Sequence, residues 1–232
     1  QVVDLGQDMT ALSVSAGGAH TCAILNDGSV RCWGSDNDGQ LGGGQPSNFT
    51  SGDCPDCPVD IGTNKTALSI SAGYNHTCAV LNDGSVKCWG DNRAGQLGIS
   101  GTTDVDLPTA VTLPNNSTAL AISSGTETGS GWGGPSTCAV LNTGSFACWG
   151  SNHYGQLGID DSEVSGADTC PTWDSSCRTS PEEIVLDREL TTLAVSAGGL
   201  HTCALLSDGT VKCWGENNDG QLGLGDTTDR DR

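Results

Sequence analysis

The sequence predicts an all-β protein of β-propeller type, built as four blade-like units of four strands each and forming either part of a propeller or an open repeat array. Three observations carry this. The segment from His20 to Gly34 recurs three more times, and its first cysteines, Cys22, Cys78, Cys138 and Cys203, lie 56, 60 and 65 residues apart. That period falls in the range of propeller blades and exceeds that of most helical solenoids. Every apolar run is short and bounded by Gly, Pro or Asn, and none has a helical period of useful length. The units span 1–57, 58–108, 109–182 and 183–232.

Within the first unit, four runs are expected as strands: Val2 to Leu5, Leu12 to Ala16, Thr21 to Leu25 and Ser29 to Trp33. The second alternates large apolar residues with serine, and Leu68-Ser69-Ile70-Ser71-Ala72 repeats it. Such a strand has one core face and one face that a neighbouring sheet approaches closely. Between the third and fourth runs, Asn26-Asp27-Gly28 forms a three-residue hairpin loop, with Gly28 at the left-handed bulge position. This turn pairs Leu25 with Ser29 and, counting back, sets Cys22 opposite Cys32 at a non-hydrogen-bonded site, where Cα atoms lie about 4.5 Å apart. The third unit departs from the others. It carries Ser136-Thr137-Cys138 in place of His-Thr-Cys and a Gly- and Ser-rich insertion of eight residues that holds Trp132.

The same hairpin geometry makes disulfides reasonable for Cys22–Cys32, Cys78–Cys88, Cys138–Cys148 and Cys203–Cys213. Free buried thiols are the alternative, but twelve cysteines in 232 residues are unusual in a reducing compartment. Cys54 with Cys57, and Cys170 with Cys177, lie between repeats and are expected to staple loops. A zinc site would require the two loops to meet across two blades, and a redox motif would be expected beside a βαβ unit.

Composition limits the partners. With 28 acidic and 9 basic residues, the net charge is −19, which repels phosphate backbones and anionic membranes, so neither nucleic acid nor a membrane surface is expected. No run approaches the roughly 20 apolar residues of a membrane span. The chain opens at Gln1 without a leader and reads as a mature or excised segment. Asn48, Asn64, Asn115 and Asn116 head Asn-x-Ser/Thr sequons and are candidate glycosylation sites on surface loops. Asn64 and Asn116 hold the same place before the Thr-Ala-Leu strands. Asn75 is a weaker candidate because its sequon lies inside the repeat motif. Cystines and sequons together point to an extracellular or cell-surface address.

The units, with their shared Asp-Gly turn, Cys-Trp-Gly strand end and Gly-Gln-Leu-Gly at 39–42, 95–98, 155–158 and 220–223, resemble the regulator of chromosome condensation repeat. That resemblance covers all four units. It implies a propeller of four-stranded blades, seven in the well-known members. The nuclear members' action on a small GTPase and chromatin is not expected to transfer, because paired cysteines and strong acidity are foreign to them and no exchange-factor wedge has a counterpart in this chain. Secreted propellers that grip another protein, such as a bacterial β-lactamase inhibitor, are nearer in setting. Seven blades of this size would need many more residues than 232. The four units are therefore a section of a longer protein, a smaller closed ring, or an array whose open ends pair with other copies.

No cluster joins a nucleophile, a base and an orienting group, so no enzyme, catalytic residue or cofactor is expected. His20, His76 and His201 recur in register; metal ligation is one reading, and a bond to a neighbouring blade's backbone is the favoured one. Asp36-Asn37-Asp38-Gly39 resembles part of a calcium loop, but Arg93 in the equivalent stretch argues against a shared cation site, so no metal is assigned. Trp33, Trp89, Trp149 and Trp214 are expected to pack blades. Trp132 and Trp173 lie in loops unique to the third unit and are candidate partner contacts, with folding over their own loops as the alternative. Two functions follow as expectations: a self-assembling extracellular structural glycoprotein, such as a filament or surface-coat subunit, or a secreted propeller that binds a protein or glycan.

Overall fold

The computed structural model describes residues 2–44, 58–126, 134–159, 170 and 174–231. Four antiparallel sheets follow one another along the chain. The first comprises β1 (Ala11–Ala16), β2 (His20–Leu25) and β3 (Val30–Gly34), and the second β4 (Ala67–Ala72), β5 (His76–Leu81), β6 (Val86–Gly90) and β7 (Val105–Val111). The third comprises β8 (Ala119–Ser124), β9 (Ser136–Leu141), β10 (Phe146–Gly150) and β11 (Arg178–Ile184), and the fourth β12 (Thr192–Ala197), β13 (His201–Leu206) and β14 (Val211–Gly215). Strand order within each sheet is sequential, so every sheet is a meander.

Turn chemistry builds each central hairpin as the sequence predicts. In the first sheet the Leu25 amide donates to Ser29 O and the Gly28 amide to Leu25 O, each at 2.9 Å. Gly28 takes φ +80°, a conformation that costs glycine little. The Asp27 carboxylate accepts from both the amide and the hydroxyl of Ser29 and locks the loop. Its pKa is held below the usual carboxylate range, first by the Ser29 hydroxyl. The resulting register sets Cys22 opposite Cys32, Cys78 opposite Cys88, Cys138 opposite Cys148 and Cys203 opposite Cys213.

The outermost strand follows a different phase from the sequence units. β7 and β11 pair with β6 and β10, so the first run of a sequence unit adds to the edge of the preceding sheet. Val2 to Leu5, expected as a strand, is none, and pairs with none of the four sheets among the described residues. Among the described residues, the first and fourth sheets therefore have three strands. Their outer edges are met by isolated bridges from Pro58 to Arg31 and from Arg230 to Gly215.

The core lies between sheets rather than within them. Cys22, Ile24, Val30 and Cys32 pack against Ala67, Ile70, Leu81 and Trp89 of the next sheet. The same positions repeat as Cys78, Val80, Val86 and Cys88 against Ala119, Ile122, Leu141 and Trp149. The serines of the inner strand show why small residues alternate there. Ser15 Oγ accepts the Ala72 amide, Ser71 Oγ the Ser124 amide and Ser123 Oγ the Ala197 amide, at 2.9–3.0 Å. A Cβ added at Gly17 would lie 2.3 Å from Gly73 O, so backbones touch directly at this point.

Candidate functional site: the two uncovered blade faces

Each junction between blades is held by one buried polar relay. The carbonyl of Gln40, from the Gly-Gln-Leu-Gly motif of the first blade, accepts both the Trp89 indole N–H and the Thr77 hydroxyl of the second, each at 2.9 Å. Because Thr77 gives its single proton to Gln40, it must accept from His20 Nε2–H, 2.9 Å away, which sets the imidazole tautomer. Gln96, Trp149, Thr137 and His76 repeat the arrangement at the next junction. Gln156 accepts from Trp214 and Thr202 at the third. There Ser136 stands in the place of the histidine, and its buried Oγ has no partner among the described residues.

This relay answers the question of the histidines. His20 and His76 do cross to the neighbouring blade, but to a threonine hydroxyl rather than to backbone. His20 and His76 each have a pKa lowered to about 4 by burial, and their Nδ1 atoms are buried without a partner. Among the described residues no group of three or more His, Cys, Asp or Glu side chains is placed to hold a metal ion. In the calcium-like loop the Asp36 carboxylate accepts the Leu41 amide, as the Asn92 amide oxygen accepts that of Leu97: both close the turn. Burial raises the Asp36 pKa. It also raises those of Asp38 and Asp104, two acids that sit with Asp91 around Arg93. Arg93 pairs with Asp91 at 2.7 Å, and that hydrogen bond raises its own pKa further.

The remaining predicted positions are distributed as follows. Cys22–Cys32, Cys78–Cys88, Cys138–Cys148 and Cys203–Cys213 are disulfides with Cα atoms 4.1 Å apart, and Cys170 is bonded to Cys177. Each hairpin bridge closes a short loop, a constraint of about 2–3 kcal/mol on the unfolded chain. Asn64, Asn115 and Asn116 are exposed with φ between +54° and +60°, and the Asn115 amide donates to Glu183. Asn75 is tied to Asp38 at 2.8 Å. Asn48, Cys54, Cys57, Trp132 and Trp173 lie outside the described residues.

What sequence reasoning did not single out is the pair of faces at the two ends of the array. Val14 is 66% exposed, whereas its counterparts Ile70 and Ile122 are each 8% exposed. Val211 is 62% exposed, whereas Val86 and Phe146 are fully covered. Trp33, unlike Trp89, Trp149 and Trp214, is not fully buried. One end thus shows the side of a blade that receives a preceding blade, and the other shows the side that receives a following one. The signal was present in the recurrence of these residues, but the sequence treats all four copies alike.

Comparison with known proteins agrees with this geometry. A family model described as the regulator of chromosome condensation (RCC1) repeat matches residues 27–80, 83–128 and 148–205, and a second of the same description matches 12–40, 68–96 and 193–221. The ultraviolet-B receptor UVR8 of Arabidopsis thaliana is 29% identical over 217 residues, which cover 94% of this chain and 44% of that protein. Yeast RCC1 (Prp20), solved bound to Kap60, superposes with a TM-score of 0.78 at 21% identity over 97% of this chain and 48% of its own. The CRINKLY WD40 ectodomain of the Arabidopsis receptor kinase ACR4 gives 0.51 at 19% identity over 90% of this chain and 54% of its own. The chain spans less than half the length of UVR8 and of Prp20. With repeat matches across most of its length and the blade architecture to go with them, the chain belongs to the RCC1 repeat family of β-propeller proteins.

Proposed function

We propose that this chain is a non-enzymatic, extracellular interaction module built from propeller repeats that associates with copies of itself, as a structural subunit of a filament or surface coat. The observation that carries this reading is the repetition of one junction, in which each blade packs on the next through the same buried positions, a mode of packing that extends by adding like units. Head-to-tail contacts of this kind extend an array or close a ring. A disulfide in the central hairpin of every sheet suits an oxidising compartment, and a similar fold is found in the ectodomain of the receptor kinase ACR4. No helix among the described residues is long and apolar enough to cross a membrane.

Sedimentation velocity tests the association. Species heavier than the 23.6 kDa monomer are expected to grow with concentration up to about 100 µM, where a micromolar joint is well occupied. A particle that stays monomeric throughout overturns the reading. A second reading, a propeller that binds a protein or glycan, is favoured by a surface cleft of about 440 Å³ lined by Ser145, Glu183, Asp187, Arg188 and Glu189. A monodisperse particle that captures a ligand there would support it instead.

The address has its own test. Protein secreted from a eukaryotic host is expected to lose mass on enzymatic removal of N-glycans, with Asn64→Gln and Asn116→Gln each removing one increment. Unchanged mass in the unmodified chain would withdraw the glycoprotein assignment.

A further inference from the structure

The hairpin corner of the third blade is built differently from the other three. In the first, second and fourth hairpins Asp27, Asp83 and Asp208 accept the amide and hydroxyl of Ser29, Ser85 and Thr210. Each of these loops has a cation on the strand that follows, because Arg31, Lys87 and Lys212 share one place in the register. Lys65 also pairs directly with Asp83. The third hairpin has Thr143 for the aspartate and Ala147 for the cation. Its carboxylate comes from the outer strand instead: Glu183 lies opposite Ala147, where the second blade has Ala110 opposite Lys87.

Among the described residues, only neutral groups hold this carboxylate. One oxygen accepts the hydroxyl of buried Ser145 and the other the Asn115 amide, at 2.6 Å. Since Ser145 gives its proton to Glu183, it accepts from the Thr143 hydroxyl, 2.7 Å away. Ser117 stands where Lys65 stands one linker earlier, and no described Lys, Arg or His pairs with Glu183. A carboxylate offers about four lone-pair sites, so Glu183 has room for further donors. It lines the cleft of about 440 Å³ between the third hairpin and the linker to the fourth blade, a size typical of ligand pockets. Asp187 and Glu189 add negative charge there against the single Arg188. Val185, 52% exposed, supplies an apolar wall.

We propose that this cleft binds a basic side chain, arginine or lysine, presented by a protein partner, with its charged end on Glu183 and its methylene stem along Val185. This deepens the ligand-binding reading above, on which it rests, and is independent of self-association. A cation from outside completes the arrangement that the other hairpins complete from within. The apolar wall suits a long aliphatic stem. No aromatic ring lines the cleft for a sugar to stack on, which disfavours a glycan.

Amide resonances of the nitrogen-15-labelled chain report binding residue by residue. N-acetyl-arginine N-methylamide, titrated to about 20 mM to populate a millimolar site, is expected to shift the amides of 143–145 and 183–192. Its uncharged glutamine counterpart is expected to leave them in place. Glu183→Gln is expected to weaken binding about tenfold, as loss of a hydrogen bond to a charged group does. Asp208→Asn removes the same charge from the fourth hairpin and is expected to change nothing. That control separates the site from the general attraction of a chain of charge −19. Equal weakening in both variants, or equal shifts by both probes, would overturn the proposal. Shifts of the same amides by neutral maltotriose, with none by the arginine probe, would overturn it while leaving a ligand site standing. No shift by any of the three would overturn both the proposal and the cleft as a binding site.

Discussion

Trp149→Ala is expected to destabilise the protein by about 3–5 kcal/mol, as truncation of a fully buried aromatic residue does. The side chain has no exposed surface. It fills the cluster between the second and third blades and donates to Gln96 O at 2.9 Å. Its removal also empties the space beside Gly98, whose backbone sits against the indole. Because blades contact only their neighbours, weakening the central junction is expected to uncouple the two halves and divide unfolding into separate steps. Urea titration followed by circular dichroism measures this. Trp33→Ala, the same change at the same motif position, is expected to cost the monomer far less, because the indole lies on an uncovered face. Equal costs for the two variants would refute the view that the tryptophans stabilise the protein by packing between blades.

The second large effect is loss of stability on mild acidification. His20 and His76 are neutral in the fold, with pKa values lowered to about 4 by burial, against about 6.5 in the unfolded chain. For a base whose folded pKa is depressed, the stabilising contribution is complete above pH 6.5. It is lost as pH falls toward 4, because the unfolded chain takes up the proton first. Each histidine contributes up to about 3 kcal/mol over this window. The proton would have to enter at Nδ1, which has no acceptor, while Nε2–H is already committed to Thr77 or Thr137. The raised carboxylates Asp36, Asp38 and Asp104 act with the opposite sign, since the fold favours their protonated forms. The expected result is a urea midpoint that falls between pH 6.5 and 4.5, with a shallower slope in His76→Gln, which keeps an N–H donor but binds no proton. A midpoint independent of pH in this window would remove the histidines from the stability of the junctions. Ser136 shows that a junction can form without the imidazole.

How much of the fold is legible in the sequence depends on how local the cause is. The Asn-Asp-Gly loop places its own bonds within a few residues, so the register that opposes Cys22 to Cys32 can be counted along the chain. The alternating serines announce a close approach, and the structure supplies its partner in each case, a backbone amide of the next blade. The outer strand is less legible, because a run such as Val105–Val111 crosses the unit boundary drawn at 108 and is equally suited to either neighbouring edge. Sequence reasoning misses the partner of His20 for a related reason: a threonine hydroxyl 57 residues away has no signature in the local motif.

By itself the sequence determined the repeat, the all-β class, the hairpin register and the pairing of the hairpin cysteines, because turn geometry and side-chain alternation act over a few residues. Only the tertiary structure decided which copies of the same residue are covered. Val14 and Ile70, or Trp33 and Trp89, occupy equivalent places in their motifs, yet one of each pair faces solvent and the other lies in the core. Burial is a property of what stands on the other side of a junction, and the identity of that neighbour is set by the order of blades in space.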